Sequence, residues 1–124
     1  MPKRVIIVDD DREVREIVSF ALTQSGFAVI EVQSGQQLQE LLAHTDILPD
    51  LIILDVMMPG EDGYHICHNL RNDSRTSNIP IMMMTAHAED IYARISTDLG
   101  ATGHITKPFH PFALVEKVKA LLHE

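Results

Sequence analysis

Three aspartates, Asp9, Asp10 and Asp11, stand in a row directly after the apolar run RVIIV (4–8). A buried strand does not end in adjacent negative charges without cause. Single polar residues follow other apolar runs in the same way. Asp55 comes after LIIL (51–54), Thr85 after IMMM (81–84), and Lys107 with Pro108 after GHIT (103–106). If these strand ends meet, three carboxylates, a hydroxyl and an ammonium share one place. Clustered carboxylates repel one another and lose solvation, and a single lysine does not neutralise them. A hard divalent cation does, and an oxygen-only donor set favours Mg²⁺ over zinc. Mg²⁺ held by a few carboxylates keeps several waters, which leaves room for a phosphoryl oxygen. A lysine and a hydroxyl beside it can stabilise a transferring phosphoryl group. Asp55 is the candidate nucleophile, because a carboxylate can form an acyl phosphate. Taken singly, Asp9 and Asp10 read better as loop or helix-cap residues; Asp55 could be a strand-end turn, but the MPGEDG that follows argues against it. It is the common placement at strand ends that favours a site. Asp11, one step further on, reads as the cap or first-turn acid of the following helix.

The elements that must position these residues can be read from periodicity. RVIIV (4–8), AVIEV (28–32), LIIL (51–54), IMMM (81–84) and GHIT (103–106) are short strand-like runs. The first, third and fourth are apolar at consecutive positions, as central strands covered on both faces are. Helical patterns lie between them. Val14, Ile17, Val18, Ala21 and Leu22 follow helical spacing. Ser34 with Gln37 resembles a capping box ahead of Leu38, Leu41 and Leu42. Asp62 caps a helix carrying Ile66 and Leu70. Ile91, Ile95 and Leu99 mark a fourth helix, and Phe112, Val115, Val118 and Leu122 a fifth. Gly26 and Gly100 fall where helices should stop. Strands alternating with helices predict an α/β fold: a five-stranded parallel sheet, doubly wound, with helices on both faces. In such sheets ligands bind beyond the carboxyl ends of the strands, where the polar residues gather.

The rest of the chain narrows the options. Its 124 residues suit a single domain spanning 1–124, with 45% apolar and 23% charged residues. A net charge of −8 argues against direct nucleic acid binding or an anionic membrane surface. No run approaches the length of a membrane span or a secretory leader. The lone cysteine, Cys67, excludes an internal disulfide and fits a reducing, cytoplasmic setting. MPKR reads as a natural start, and LLHE closes on a helix, so either the protein stops there or a further domain follows. Met82, Met83 and Met84 read as core strand rather than a soft-metal box, and Cys67 as a small core residue. His65, Cys67 and His68 tempt a zinc reading, but adjacent helical residues point apart and no second ligand pair follows. Asp62, Gly60 and Gly63 read as turn and cap.

VDDD (8–11), LDVMMPGEDG (54–63), MMTAH (83–87) and GATGHITKPF (100–109) together resemble the receiver domain of two-component response regulators. The resemblance covers essentially the whole chain, and these motifs keep the family's order and spacing. It implies a flavodoxin-like (βα)5 three-layer sandwich of sheet order 2-1-3-4-5, an order for which the chemotaxis receiver is a standard example. It also implies that Asp55 accepts a phosphoryl group from a histidine on a sensor histidine kinase or histidine phosphotransfer protein. Asp9 and Asp10 would hold Mg²⁺, Asp10 more directly, together with Asp55 and the backbone carbonyl of Met57. Lys107 would pair with the phosphoryl group, and Thr85 would hydrogen-bond it and move toward it, with small Ala86 leaving the site open. The Lys107–Pro108 peptide is expected to be cis. Met57 and His87 would flank the site and tune the approach of water. The output partner is not implied, and a homodimer through the fourth and fifth helices is left open.

The sequence departs from the family at His104, where an aromatic switch residue, Tyr or Phe, is usual. Histidine is smaller and changes charge near neutral pH. The same kind of switch with pH-sensitive coupling is one expectation, and a strand-end histidine without special role is the other. Two rival functions differ from a signalling switch. A Mg²⁺-dependent phosphohydrolase would need an acid two residues beyond Asp55, where Met57 stands. A pseudo-receiver, binding partners without phosphorylation, would not need the full set of Asp10, Asp55, Thr85 and Lys107.

Overall fold

The computed structural model describes residues 2–58, 60–86 and 100–123. Strands β1 (Arg4–Val8), β2 (Ala28–Val32), β3 (Leu51–Asp55), β6 (Ile81–Thr85) and β7 (Gly103–Thr106) form one sheet. All pairs are parallel and the order is β2-β1-β3-β6-β7. That is the expected 2-1-3-4-5 arrangement, with β2 and β7 at the edges. Two further strands, β4 (Met57–Met58) and β5 (Glu61–Asp62), make a small antiparallel hairpin just past β3. Four helices are described: α1 (Arg12–Gln24), α2 (Gly35–Ala43), α3 (Gly63–Arg71) and α4 (Pro111–Leu122), the last being the predicted fifth. The predicted fourth helix at Ile91, Ile95 and Leu99, with it one side of the dimer face, and His87 lie outside the described residues.

Alternation along each central strand builds the two outer layers. Ile6, Val8, Ile52, Leu54, Ile81 and Met83 face α2 and α3, where they meet Leu38, Leu42, Ile66, Cys67 and Leu70. Val5, Ile7, Leu51, Ile53, Met82 and Met84 face α1 and α4, where they meet Val18, Leu22, Leu114, Val115 and Val118. Consecutive apolar residues are therefore required, since odd and even positions serve different layers. The three methionines and Cys67 are buried, as expected of core.

The helix starts follow local chemistry. Asp11 caps α1 by accepting from the Glu13 N–H at 2.9 Å. Ser34 accepts from the Gln37 N–H at 3.1 Å, but the Gln37 side chain reaches back to the N–H of Gln33 rather than Ser34. Asp62 caps α3. His110 caps α4 through Nδ1, which accepts from the Phe112 N–H at 3.1 Å. Gly26 adopts φ +93° beyond α1 and Gly100 φ +99° ahead of β7, where a Cβ is disfavoured.

Some expectations need correction. Ile17 and Phe112 fit the helical periodicity yet are exposed, because Val18 and Leu114 occupy the inward positions. β3 and β6 each run one residue longer than the apolar runs. Asp55 pairs with Met84, and Thr85 with Thr106, so the two polar residues are the last rungs of the sheet.

Candidate functional site at the carboxyl edge of the sheet

β1, β3, β6 and β7 deliver Asp9, Asp55, Thr85 and Lys107 to one edge. Asp9, Asp55 and Thr85 are buried and Asp10 is exposed. One carboxylate oxygen from each of Asp9, Asp10 and Asp55 lies within 4.8 Å of the others. Three acids at that spacing, without nitrogen or sulfur donors, fit a hard divalent cation such as Mg²⁺.

Lys107 stands between two of the acids. Its Nζ donates to Asp9 Oδ2 at 2.9 Å and lies 3.3 Å from Asp55 Oδ1. Burial alone would lower the pKa of this ammonium, but its bond to Asp9 and the charges of Asp55 and Asp9 outweigh that and raise it. Asp55 has the opposite balance. Burial first, then the charge of Asp9, lift its carboxyl to about 6, against the pull of Lys107 and of the Met57 N–H. That N–H meets Asp55 Oδ1 at 3.4 Å. The Lys107–Pro108 peptide is cis, and the Lys107 N–H donates to the Thr85 carbonyl at 2.6 Å.

Both side-chain oxygens of Asp9 have protein donors. Oδ2 takes Lys107, and Oδ1 takes the Asp11 N–H at 2.9 Å. That leaves exposed Asp10 as the more available of the pair. The structure thus brings Asp9, Asp10, Asp55 and Lys107 together, with Thr85 beside Lys107 across the last rung. Met57 stands two residues from Asp55 and is 66% exposed. His104 is half-buried on the edge strand β7, paired with Met83 and set back from the carboxyl end of the strand that carries Lys107.

Three supporting residues gave no functional signal in the sequence. Gly63, read as a turn residue, is the buried first residue of α3. A Cβ there would strike the Asp55 carbonyl and come 2.7 Å from the Val56 Cα. Glu61 reaches from the hairpin to α2, accepting from the Gly35 N–H at 2.7 Å. Arg15, on α1, donates to the Asp9 carbonyl at 2.6 Å. Such partners are distant in sequence or meet through backbone atoms, so no motif announces them.

A doubly wound parallel sheet with its acids gathered at the carboxyl edge places the molecule among the flavodoxin-like folds. Within them, the chain belongs to the response regulator receiver domain family, whose model matches residues 5–119. Over 120 residues it is 39% identical to the phosphate regulon transcriptional regulatory protein PhoB of Pseudomonas aeruginosa, which covers 97% of this chain and 52% of that protein. The chain spans about half the length of the curated relatives it matches. Among solved structures, a response regulator from Chloroflexus aurantiacus superposes with TM-score 0.89 at 36% identity over the whole of both chains. The chemotaxis response regulator CheY4 of Vibrio cholerae gives 0.91 at 29% identity, over 98% of this chain and all of that one. The chain is therefore a two-component signalling domain rather than a metabolic enzyme. No helix among the described residues is long and apolar enough to cross a membrane.

Proposed function

We propose that the chain is a phosphorylation-activated switch whose phosphoacceptor is Asp55. The observation that carries this reading is the placement of the Lys107 ammonium between Asp9 and Asp55, with Asp10 completing the acidic cluster. An Asp55 carboxylate oxygen attacks the phosphorus of a phosphohistidine on a sensor kinase or phosphotransfer protein. The O–P bond forms as the P–N bond breaks, and the imidazole leaves with a proton from solvent. Lys107 stays paired with the charge that passes from carboxylate to phosphoryl oxygens. Thr85, the last rung of β6, donates a hydrogen bond to the phosphoryl group. Asp10, Asp55 and the Met57 carbonyl would hold Mg²⁺, with Asp9 behind them, and the bound ion would supply charge neutralisation to the phosphoryl oxygens. Domain-level chemistry is limited to self-phosphorylation and slow loss of the group, because exposed Met57 offers no acid or base for turnover.

The same proposal takes residues 1–124 as one receiver unit working in the cytoplasm and handing its signal to an output partner, without binding nucleic acid itself. His104 takes the place of the aromatic switch residue. Partner affinity of the phosphorylated protein is then expected to differ between wild type and His104→Tyr. Equal affinity in the two proteins removes the histidine from the switch.

Intact-mass measurement after acetyl phosphate, with and without Mg²⁺, tests the central claim. A Mg²⁺-dependent gain of one phosphoryl group that disappears in Asp55→Asn is the expected result. No gain in any condition favours a phosphorylation-independent interaction module. Steady release of phosphate from many phosphomonoesters favours a phosphohydrolase.

A further inference from the structure

We infer that Arg15 is a positioning residue for the metal-binding carboxylates, setting the direction of Asp10 through the peptide that precedes it. This rests on the proposed Mg²⁺ site. The side chain of Arg15 is 13% exposed, so little of it is left to water. One guanidinium nitrogen donates to the Asp9 carbonyl at 2.6 Å, a short charge-assisted bond. Its Nε faces Glu31 on β2 at 3.6 Å.

The accepting carbonyl belongs to the peptide unit that joins Asp9 to Asp10. Here the chain leaves the sheet. The Asp9 N–H still bonds the Val32 carbonyl at 3.2 Å, the last link to β2. The next fixed point is the Asp11 N–H, held by Asp9 Oδ1. Asp10 therefore stands on a turn clamped on both sides, by Arg15 before it and by the Asp9 carboxylate after it. Asp10 itself is exposed, so its direction comes from the backbone that carries it. Supporting contacts of this kind orient ligands at metal sites.

A simpler account makes Arg15 a partner of Glu31 alone. At 3.6 Å, with Glu31 37% exposed, that pair is worth little. It also leaves the shorter bond to Asp9 unexplained. A second account makes Arg15 a counter-charge for the acidic cluster. The two roles predict opposite signs. Removing a positive charge near a cation site strengthens cation binding by electrostatics alone. Releasing the Asp9–Asp10 peptide weakens it.

Calorimetric titration of the full chain with MgCl₂ decides between them. In Arg15→Met, which keeps the apolar stem, Mg²⁺ affinity falls about tenfold, the low end for a supporting partner. Arg15→Lys, which restores charge and one donor, lies between that variant and wild type. Should Arg15→Met not fold, Arg15→Gln is read by the same criterion. Affinity that is unchanged or tighter in the folded neutral variant, while wild type binds, overturns the clamp and leaves the site standing. Wild-type protein that takes up no Mg²⁺ overturns both.

Discussion

Asp55 and Lys107 show how the residue scale sets the behaviour of the site. The Asp55 carboxyl has a pKa of about 6, because burial and Asp9 outweigh Lys107. In the unfolded chain an aspartate titrates near pH 3.9. Between about pH 4 and 6 the folded protein therefore binds more protons than the unfolded chain, and this group's contribution to stability falls as pH rises. Above about pH 6 the folded state carries the whole cost, at most about 3 kcal/mol for a shift of this size. Asp55→Asn removes that cost. In urea unfolding without Mg²⁺, the variant is expected to be more stable than wild type at pH 8, with the gap closing toward pH ~4. A gap that widens on acidification contradicts this account. Lys107→Met acts on the same carboxylate from the other side. It deletes the charge and hydrogen bond that hold the pKa down, so Asp55 titrates above its present value of about 6, measurable by carboxyl ¹³C shifts. Asp9, Asp10, Asp55, Thr85 and Lys107 were legible as site candidates because each stands at or just past the end of a strand-like run. Arg15 was not, since its partner is a backbone carbonyl, which no residue type announces.

At the scale of elements, the site depends on how closely α3 can approach the end of β3. Gly63 opens α3 with its N–H donating to the Val56 carbonyl at 2.9 Å and its Cα against the Asp55 peptide. Gly63→Ala places a methyl group on backbone atoms, which cannot rotate away. Overpacking of this kind costs about 1–3 kcal/mol. Because the displaced atoms belong to Asp55 and Val56, phosphorylation by acetyl phosphate slows as well, whereas Gly60→Ala, at φ +72°, meets no atom within 4 Å and strains only its own turn. Equal rates for Gly63→Ala and wild type would show that α3 has room to spare. The five strands could be read because each central one serves two layers and so is apolar throughout. The hairpin of β4 and β5 could not. Its strands are two residues long, too short for any alternation, and MPGE carries only turn chemistry. Phe112 and Ile17 obey helical periodicity but face solvent, because spacing alone does not fix which neighbour of a pair turns inward.

The whole molecule carries 18 acidic and 10 basic residues, so its net charge of −8 opposes compaction. Any salt screens that repulsion, and a cation that raises stability has not thereby been shown to bind a site. The site and the general field make separable predictions. Screening depends on ionic strength and is shared by NaCl and MgCl₂ at matched ionic strength. A bound ion adds RT ln(1 + [L]/Kd), about 2.7 kcal/mol at a hundredfold excess over Kd. For a domain of this size each kcal/mol raises Tm by roughly 3–5 °C. Wild type is therefore expected to melt higher in MgCl₂ than in NaCl of equal ionic strength, by several degrees near saturation. Asp10→Asn removes the most accessible of the three acids. It abolishes the difference between the two salts but keeps the shift they share, since seven of the eight net charges remain on simple subtraction from −8. A Mg²⁺-specific shift that survives in Asp10→Asn places the ion elsewhere on the acidic surface and separates the metal from Asp55.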